Sequence, residues 1–214
     1  MPRTTAPKIE IVYHLECWLR DIKPIIHRRL AVPKHMSLAV FHHVLQIAFG
    51  WENSHLHEFD TKLGRFGDRT MNVDAGPEMQ DEKKATVEEV LTEIGDGFLY
   101  TYDFGDDWHH GVVLHGLSMA EPGGVYPCCL GGARSGPPED CGGPYGYQDL
   151  VKALGDPKHK DREEYLQNYG PLDAEAFSAD AVNRALAKAF GFKKPATKKT
   201  TAKKDAQRTT RKPA

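Results

Sequence analysis

Strict alternation of apolar and polar side chains over residues 9–19 constrains the fold of this chain more than any other feature. Alternation at a period of two is typical of a strand that is buried on one face of an antiparallel sheet. A turn at residues 21–24 and a second apolar run over 25–32, which stops at Pro33, predict that this strand opens a hairpin. An unpaired edge of that hairpin is one place where two copies of the chain could pair.

Residues 100–110, with the sequence YTYDFGDDWHH, join two further strand-like runs at an acidic turn. The period of two predicts an aromatic face on the first run, made of Phe98, Tyr100, Tyr102 and Phe104. On the second run it predicts a shared face made of Trp108, His110, Val112 and Leu114. We interpret the aromatic residues as core and the aspartates between the runs as the turn.

Five segments carry the signals of helices. The first has Ser37 as its N-cap and Gly50 as a left-handed C-cap, and the apolar residues between them follow helical spacing. His42 and His43 lie within this helix and are interpreted as a partly exposed pair. The other predicted helices cover residues 86–94, which open on a capping box, residues 148–154, residues 158–168 and a segment after the N-cap Ser178.

The strands and helices together predict an α+β fold, in which an antiparallel sheet and its packed helices form two intertwined subdomains around a shared core. We place this single domain at residues 9–192, after a flexible N-terminus at residues 1–8. Residues 193–214 contain nine Lys or Arg and one Asp with little apolar bulk, so they predict a disordered basic tail. The rest of the chain then holds 19 basic and 29 acidic residues and is acidic.

This charge asymmetry favours nucleic acid as a partner of the tail, through an attraction that does not depend on base sequence. Solubilising extensions share the same composition, and that alternative stays open. The chain has no run of 18 apolar residues, and its N-terminus lacks the apolar core of a signal peptide, so neither a membrane partner nor secretion is predicted. A cytoplasmic location is the expectation.

Residues 120–147 contain eight Gly, five Pro and three Cys and are expected to form one long functional loop. Arg134 is the only cation in this loop. It could bind a phosphate or carboxylate ligand in a bidentate manner, or it could pair internally with Glu139 or Asp140 and brace the loop.

A mixed sulfur and nitrogen site for zinc is the first candidate metal centre. Two histidines at i and i+2 on a strand lie about 7 Å apart at Cα, which lets both reach one ion. The candidate ligands are Cys129, Cys141, His110, His55 and His57, with Cys128 as a further thiol. Free thiols are the alternative, and a buried core thiol is the preferred interpretation of Cys17.

An acidic group is the second candidate site, because oxygen-rich clusters suit magnesium or manganese and support phosphodiester chemistry. Its members are Asp103, Asp106, Asp107, Glu139 and Asp140, and Trp108 beside them is a candidate ligand contact. The alternative is that these carboxylates serve as turn residues and caps.

Several motifs occur in a specific order. They are IIHRRL at residues 25–30, GW at 50–51, HLHEF at 55–59, YDFGDDWHH at 102–110, CLGG at 129–132 and PPEDCGG at 137–143. Over residues 9–190 this order resembles the Ri-plasmid open-reading-frame-three-like family, which is also labelled a TnpR-like passenger of insertion elements. The resemblance implies a bacterial, cytoplasmic α+β protein of two subdomains and carries no established activity.

Two positions depart from that family's pattern. His27 stands where many members have tryptophan, and Gly136 stands where many have a further cysteine. The missing thiol weakens the case for a full thiolate site. The resolvase label is not carried over, since a serine recombinase needs a nucleophilic serine near catalytic arginines, and the first 60 residues offer only Ser37, a helix cap, and Ser54.

Two functions follow as hypotheses. The first is an α+β binding module associated with mobile elements, whose tail adds weak affinity for nucleic acid. The alternative is a metal-dependent hydrolase or nuclease that uses the histidines, cysteines and aspartates around residues 100–110.

Overall fold

The computed structural model describes residues 10–71 and 78–192, which form one sheet packed against helices. The strands are β1 (Ile11–Leu19), β2 (His27–Pro33), β3 (His57–Thr61), β4 (Gly64–Gly67), β5 (Gln80–Asp81), β6 (Gly97–Tyr102), β7 (Trp108–Met119) and β8 (Cys128–Ala133). The helices are α1 (Leu38–Phe49), α2 (Val87–Val90), α3 (Gly143–Gly155), α4 (Arg162–Tyr169) and α5 (Ala179–Ala189), with a 3₁₀ helix at Glu82–Lys84. The predicted N-terminal segment 1–8 and the basic tail 193–214 lie outside the described residues.

The eight strands hydrogen-bond in the order β5-β4-β3-β6-β7-β1-β2-β8, and all pairs are antiparallel except β4 with β5. This arrangement confirms the predicted α+β fold with an antiparallel sheet. The face predicted for β1 is buried, with Leu15, Cys17 and Leu19 each at most 1 % exposed. The hairpin of β1 and β2 lies between β7 and β8, so the expectation that it offers an unpaired edge is wrong.

The acidic turn at residues 103–107 begins earlier than the alternation predicts. Strand β6 ends at Tyr102, and Asp103 has a positive φ of 57°, which redirects the chain. Phe104 is therefore 47 % exposed and does not join the core, although the aromatic side chains of β6 before it are buried. The predicted apolar face of β7 is confirmed, since Trp108, His110 and the two aliphatic residues that follow on that face are buried.

Helix α1 begins and ends where its caps predict. The Ser37 hydroxyl accepts the Val40 N–H, and Gly50 adopts a left-handed φ of 90°. Helix α2 is shorter than predicted and ends at Val90. The backbone N–H groups of Thr92 and Glu93 donate to the Asp96 carboxylate, which replaces the next helical hydrogen bonds with a turn.

The prediction of one long loop over residues 120–147 is wrong, because this segment contains β8 and the first turns of α3. The sequence hides β8 because close backbone contact requires glycine there: a Cβ on Gly132 would lie 2.4 Å from the His27 carbonyl oxygen. Helix α3 begins five residues before the predicted start. Pro144 lies in its first turn, where the missing N–H costs no helical hydrogen bond.

Arg28 of β2 is buried in the core without a carboxylate partner among the hydrogen bonds described for it. Its Nε donates to the Ala48 carbonyl at 2.6 Å, and its Nη1 donates to the carbonyls of His27 and Ala133 at 2.7 and 2.9 Å. The guanidinium lies 5.0 Å from the centroid of the Phe49 ring. Burial lowers the pKa of Arg28 to about 10, so the group stays charged at neutral pH.

His42 of α1 is 2 % exposed, so the interpretation of a partly exposed histidine pair is wrong for this residue. It belongs to a closed ring of hydrogen bonds. The Asn53 N–H donates to Gln46 Oε1 at 2.9 Å, and Gln46 Nε2 donates to the Tyr100 hydroxyl at 3.1 Å. That hydroxyl lies 2.7 Å from His42 Nδ1, and His42 Nε2 lies 2.6 Å from Asn53 Oδ1. The backbone N–H of Asn53 fixes Gln46 Oε1 as an acceptor, so Gln46 Nε2 donates to the Tyr100 hydroxyl and that hydroxyl donates to His42 Nδ1. Burial lowers the pKa of His42 to about 3, so the ring is neutral at pH 7, and its proton is on Nε2, which donates to Asn53 Oδ1.

The outer edge of β8 is covered by a side chain of α5. Asn183 Oδ1 accepts the N–H of Cys129 at 2.6 Å, and Asn183 Nδ2 donates to the carbonyl of Cys129 at 2.9 Å. The amide thus makes the two hydrogen bonds that a residue of a further strand would make there.

We expect Gly136→Ala to lower the free energy of unfolding by roughly 2 kcal/mol, because an added methyl group must displace packed backbone. A Cβ on Gly136 would lie 1.8 Å from the Phe49 carbonyl oxygen. Gly116→Ala is the matched control, since a Cβ at that position meets no atom within 4 Å. Urea denaturation checks the difference, and equal stability of the two variants would contradict the packing described here.

The free energy of unfolding should fall as pH decreases from about 6.5 toward 3. Burial lowers the pKa of both His42 and His110 to about 3. Between these pH values the unfolded chain binds two protons that the folded chain does not bind. Each histidine therefore lowers the free energy of unfolding by about 1.4 kcal/mol per pH unit. His42→Gln should reduce this slope and His35→Gln, an exposed control, should not. Denaturation at several pH values measures both slopes.

Candidate functional site

One segment that leads into β3 and two segments that follow β6 and β8 meet at one end of the sheet. His57 of β3 pairs with Tyr102 of β6, so the residues just beyond this pair, His55 and Asp103, come close together. The N–H of Asp103 donates to the Leu56 carbonyl at 2.8 Å, and this hydrogen bond holds the segment before β3 against the segment after β6. The segment that follows β8 brings Glu139 and Asp140 to the same place.

One imidazole nitrogen faces three carboxylates in this group. His55 Nε2 lies 3.1 Å from Asp140 Oδ1, 3.6 Å from Asp103 Oδ2 and 3.8 Å from Glu139 Oε2. An imidazole nitrogen carries at most one hydrogen, so it cannot satisfy three carboxylates. Within the described residues, His55 Nε2 and Glu139 Oε2 are buried atoms that make no hydrogen bond.

The second oxygen of Glu139 is held firmly. Glu139 Oε1 accepts the Glu52 N–H at 2.8 Å and the Tyr102 hydroxyl at 2.9 Å. The same Tyr102 hydroxyl accepts the N–H of Ser54 at 2.9 Å. Burial and the neighbouring carboxylate raise the pKa of Tyr102, which keeps its proton available for this bond. Glu139 Oε2 is thereby directed toward His55.

The spacing of these atoms fits a metal ion. Ligand atoms bound to a tetrahedral ion at about 2.0–2.1 Å lie about 3.3 Å from one another. The distances from His55 Nε2 bracket that value, and one potential ligand atom from each of His55, Asp103 and Asp140 lies within 4.8 Å of the other two. Among the described residues, no other group of three or more His, Cys, Asp or Glu side chains has spacing that would suit a metal ion.

The other residues predicted for the acidic site have internal roles. Asp106 Oδ2 accepts the N–H of Gly142 at 3.1 Å and joins the turn to the start of α3. Asp107 lies 3.2 Å from His109 Nε2. Trp108 is buried in the core, where its ring packs 6.0 Å from that of Trp51.

Arg134 is a brace, and its partners differ from those predicted. Its Nε donates to Glu175 at 2.9 Å and its Nη1 donates to the Pro24 carbonyl at 2.6 Å. The side chain is buried, so the prediction that it binds a ligand is not favoured. The prediction of internal pairing described the role correctly but named Glu139 or Asp140 as the partner.

The histidines predicted beside the cysteines lie in other surroundings. His57 Nε2 lies 2.7 Å from Glu82 Oε2, and its ring stacks on His42 at 3.5 Å. His110 is buried, with Nδ1 at 3.1–3.2 Å from two backbone carbonyls, and its ring packs against Phe49 and Trp51. The structure therefore separates His55 from the other two candidate histidine ligands.

The cysteines do not meet in a group of three ligands within the described residues. Cys129 lies on β8, where its thiol contacts the Gly131 carbonyl at 3.4 Å. Burial raises the pKa of Cys141 to about 12 and that of Cys128 to about 11, and it also raises the pKa of Cys129. These thiols therefore stay protonated at neutral pH in the metal-free chain. Cys17 is a buried core thiol, as predicted.

Sequence reasoning named the residues of this group as candidates but assigned them to different sites. It placed His55 with the cysteines and placed Asp103, Glu139 and Asp140 in a separate acidic group. The hydrogen-bond ring that contains Asn53 was missed, since a single asparagine and a buried histidine carry no distinctive spacing. The positive φ of 59° at Asn53 gives no signal in the sequence beyond the tolerance of asparagine for that conformation.

Comparison with known proteins adds relatives of the whole fold. A protein of Sinorhizobium fredii strain NGR234 described as uncharacterized protein y4hQ is 35% identical over 178 residues, which cover 82% of this chain and 90% of that protein. The crystal structure of MM3350 from Methanosarcina mazei Go1, a protein of unknown function, matches with a TM-score of 0.72 and 32% identity. That match covers 81% of this chain and 98% of MM3350. Among the described residues, no helix has the length and apolar character needed to cross a membrane.

A family model matches the span that holds both the sheet and the site. The match runs over residues 11–184 and corresponds to the plasmid pRiA4b ORF-3-like proteins. It agrees with the resemblance drawn from the order of the sequence motifs. The chain belongs to the plasmid pRiA4b ORF-3-like protein family.

Proposed function

We propose that this protein binds a divalent metal ion through His55, Asp103, Glu139 and Asp140 and acts as a metal-dependent hydrolase. One observation supports the proposal most strongly: the imidazole nitrogen and the Glu139 oxygen that face each other have no hydrogen-bond partner among the described residues. Buried polar atoms without partners are costly, and a cation between them removes that cost. No Lys or Arg of the described residues forms an ion pair with these three carboxylates.

The donor set favours a particular class of ion. One imidazole and three carboxylates suit zinc or manganese, whereas a site made of thiolates would favour zinc alone. The cysteine site considered from the sequence needs at least three ligands in one place, and no such group among the described residues contains a cysteine. We therefore favour the carboxylate and histidine set over the cysteine set.

The surroundings of the site suit catalysis better than a purely structural role. The Asp140 side chain is 75 % exposed, so an ion here keeps access to water. A separate cavity of about 700 Å³ is lined by Asp106 and Asp107 of the acidic turn and by Tyr145, and none of the four proposed ligands lines it. That volume lies within the roughly 300–1,000 Å³ range of small-molecule sites. A bound divalent ion supplies a water of lowered pKa, which is the nucleophile of hydrolytic chemistry.

Elemental analysis and calorimetric titration with Zn²⁺ and Mn²⁺ test the proposed centre. The full-length protein should bind about one ion per chain, as expected for one group of ligands. His55→Ala and Asp103→Asn should each weaken binding by more than about tenfold, because each removes a ligand. Asparagine tolerates the positive φ at position 103, so the second variant should keep the fold.

Cys129→Ser and Cys141→Ser are the controls that separate the two candidate centres. Both should bind metal as tightly as the unaltered protein. If the cysteine variants lost the metal and His55→Ala kept it, the thiols would be the ligands and the proposed centre would be wrong. A chain that binds neither ion would exclude both centres.

The association of the tail with nucleic acid remains a prediction from its charge. The full chain should bind duplex DNA with an affinity that falls steeply as salt increases, and a chain that ends at Phe192 should bind much more weakly. The truncation removes only residues outside the described part of the structure. Binding at two salt concentrations measures the effect, and equal affinity of the two chains would contradict the prediction.

A further inference from the structure

A second, smaller cavity adjoins the proposed metal centre. Its volume is about 130 Å³, and it is bounded by the loop at residues 53–57, by α1 and by the 3₁₀ helix that contains Lys83. His55 belongs to both places, since it lines the cavity while its Nε2 faces the carboxylates. The volume corresponds to a few water molecules, at roughly 30 Å³ each. Only a group of a few non-hydrogen atoms can enter.

The hydrogen-bond ring fixes the orientation of the Asn53 amide, which lines this cavity. His42 Nε2–H donates to Asn53 Oδ1 at 2.6 Å, which assigns the oxygen of the Asn53 amide to the ring. The amide nitrogen, Nδ2, is therefore the atom left over, and the structure shows no hydrogen bond from it to any described residue. Asn53 thus presents two N–H groups that are unused and held in place.

The two carboxylates that line the cavity, Asp68 and Glu82, each have an oxygen that is already engaged. Asp68 Oδ1 accepts both the N–H and the hydroxyl of Thr70, at 2.9 and 2.6 Å. Glu82 Oε2 faces His57 Nε2 at 2.7 Å. The charged wall group that keeps most of its capacity is Lys83, whose Nζ lies 3.5 Å from Asp68 Oδ2 and whose side chain is 56% exposed. Asn53 Nδ2 and Lys83 Nζ are therefore two donors of these walls that keep capacity for a ligand.

We propose that this cavity binds a small oxyanion of the phosphate class, held by Asn53 Nδ2 and Lys83 Nζ. An ammonium group and fixed amide N–H groups are the donors that recognise such anions. The cavity is too small for a nucleobase or a peptide, so the ligand is free phosphate or a terminal phosphoryl group. The binding itself needs no metal. Its role as the part of the substrate next to the ion rests on the proposed function.

Calorimetric titration of inorganic phosphate into the full-length protein, with and without Zn²⁺, tests the inference. Saturable binding of one phosphate per chain is expected. Lys83→Met should weaken it about tenfold, as for the loss of one charge-assisted hydrogen bond. Lys84→Met is the matched control, because Lys84 is the next residue of the same 3₁₀ helix and does not line the cavity.

Asn53→Asp is the second variant. It keeps the oxygen that accepts from His42 and replaces the amide N–H groups with a negative oxygen, so phosphate affinity should fall more than tenfold. Thermal unfolding establishes that the variant is folded. Equal loss in Lys83→Met and Lys84→Met, unchanged binding in Asn53→Asp, or no saturable binding by the unaltered protein would each overturn the inference.

The same samples separate this inference from the metal proposal. Metal content is measured before each titration. Phosphate binding by protein that takes up no added Zn²⁺ would support the cavity and count against the centre at His55. Bound metal without phosphate binding would support the centre at His55 and overturn the phosphate proposal.

Discussion

The buried guanidinium of Arg28 is the interaction on which the arrangement of the elements most depends. Placing a charge in the core is costly unless it is well hydrogen-bonded. The compensation comes from three carbonyl oxygens: that of His27 on β2, that of Ala133 at the end of β8 and that of Ala48 in the C-terminal turn of α1. The negative end of a helix dipole lies at that turn, so it favours a cation. The Phe177 ring covers the guanidinium at 4.5 Å and brings the start of α5 to β8.

This fixed packing determines where the candidate site forms. Once β8 lies against β2, the segment after Ala133 must pass α1, where Gly136 contacts the Phe49 carbonyl. The Trp51 Nε1–H then donates to the Pro137 carbonyl at 2.9 Å, two residues before Glu139. The carboxylates that face His55 are thus positioned by contacts made in the core, and their closeness to one another is maintained against their mutual repulsion.

The sequence predicted those elements whose physical causes are local. Alternation predicted β1 and β7, and capping residues predicted both ends of α1. Strand β8 was missed because its glycines are required by close contacts with β2. No local sequence pattern reveals such contacts. The site was recognised in part: residue chemistry identified His55 and the carboxylates as candidates. Their combination depends on strand register and on the path of residues 134–142, which are properties of the folded chain.

The amide of Asn183 on the edge of β8 has a consequence for how this protein can meet other chains. A sheet grows when a new strand satisfies the free N–H and carbonyl groups along an edge, and near the start of this edge both groups of Cys129 are already satisfied by a side chain. A strand added there must first displace Asn183 and the helix that carries it. Sheet extension along β8 is therefore opposed by the packing of a helix, since Asn183 cannot leave this edge unless α5 moves.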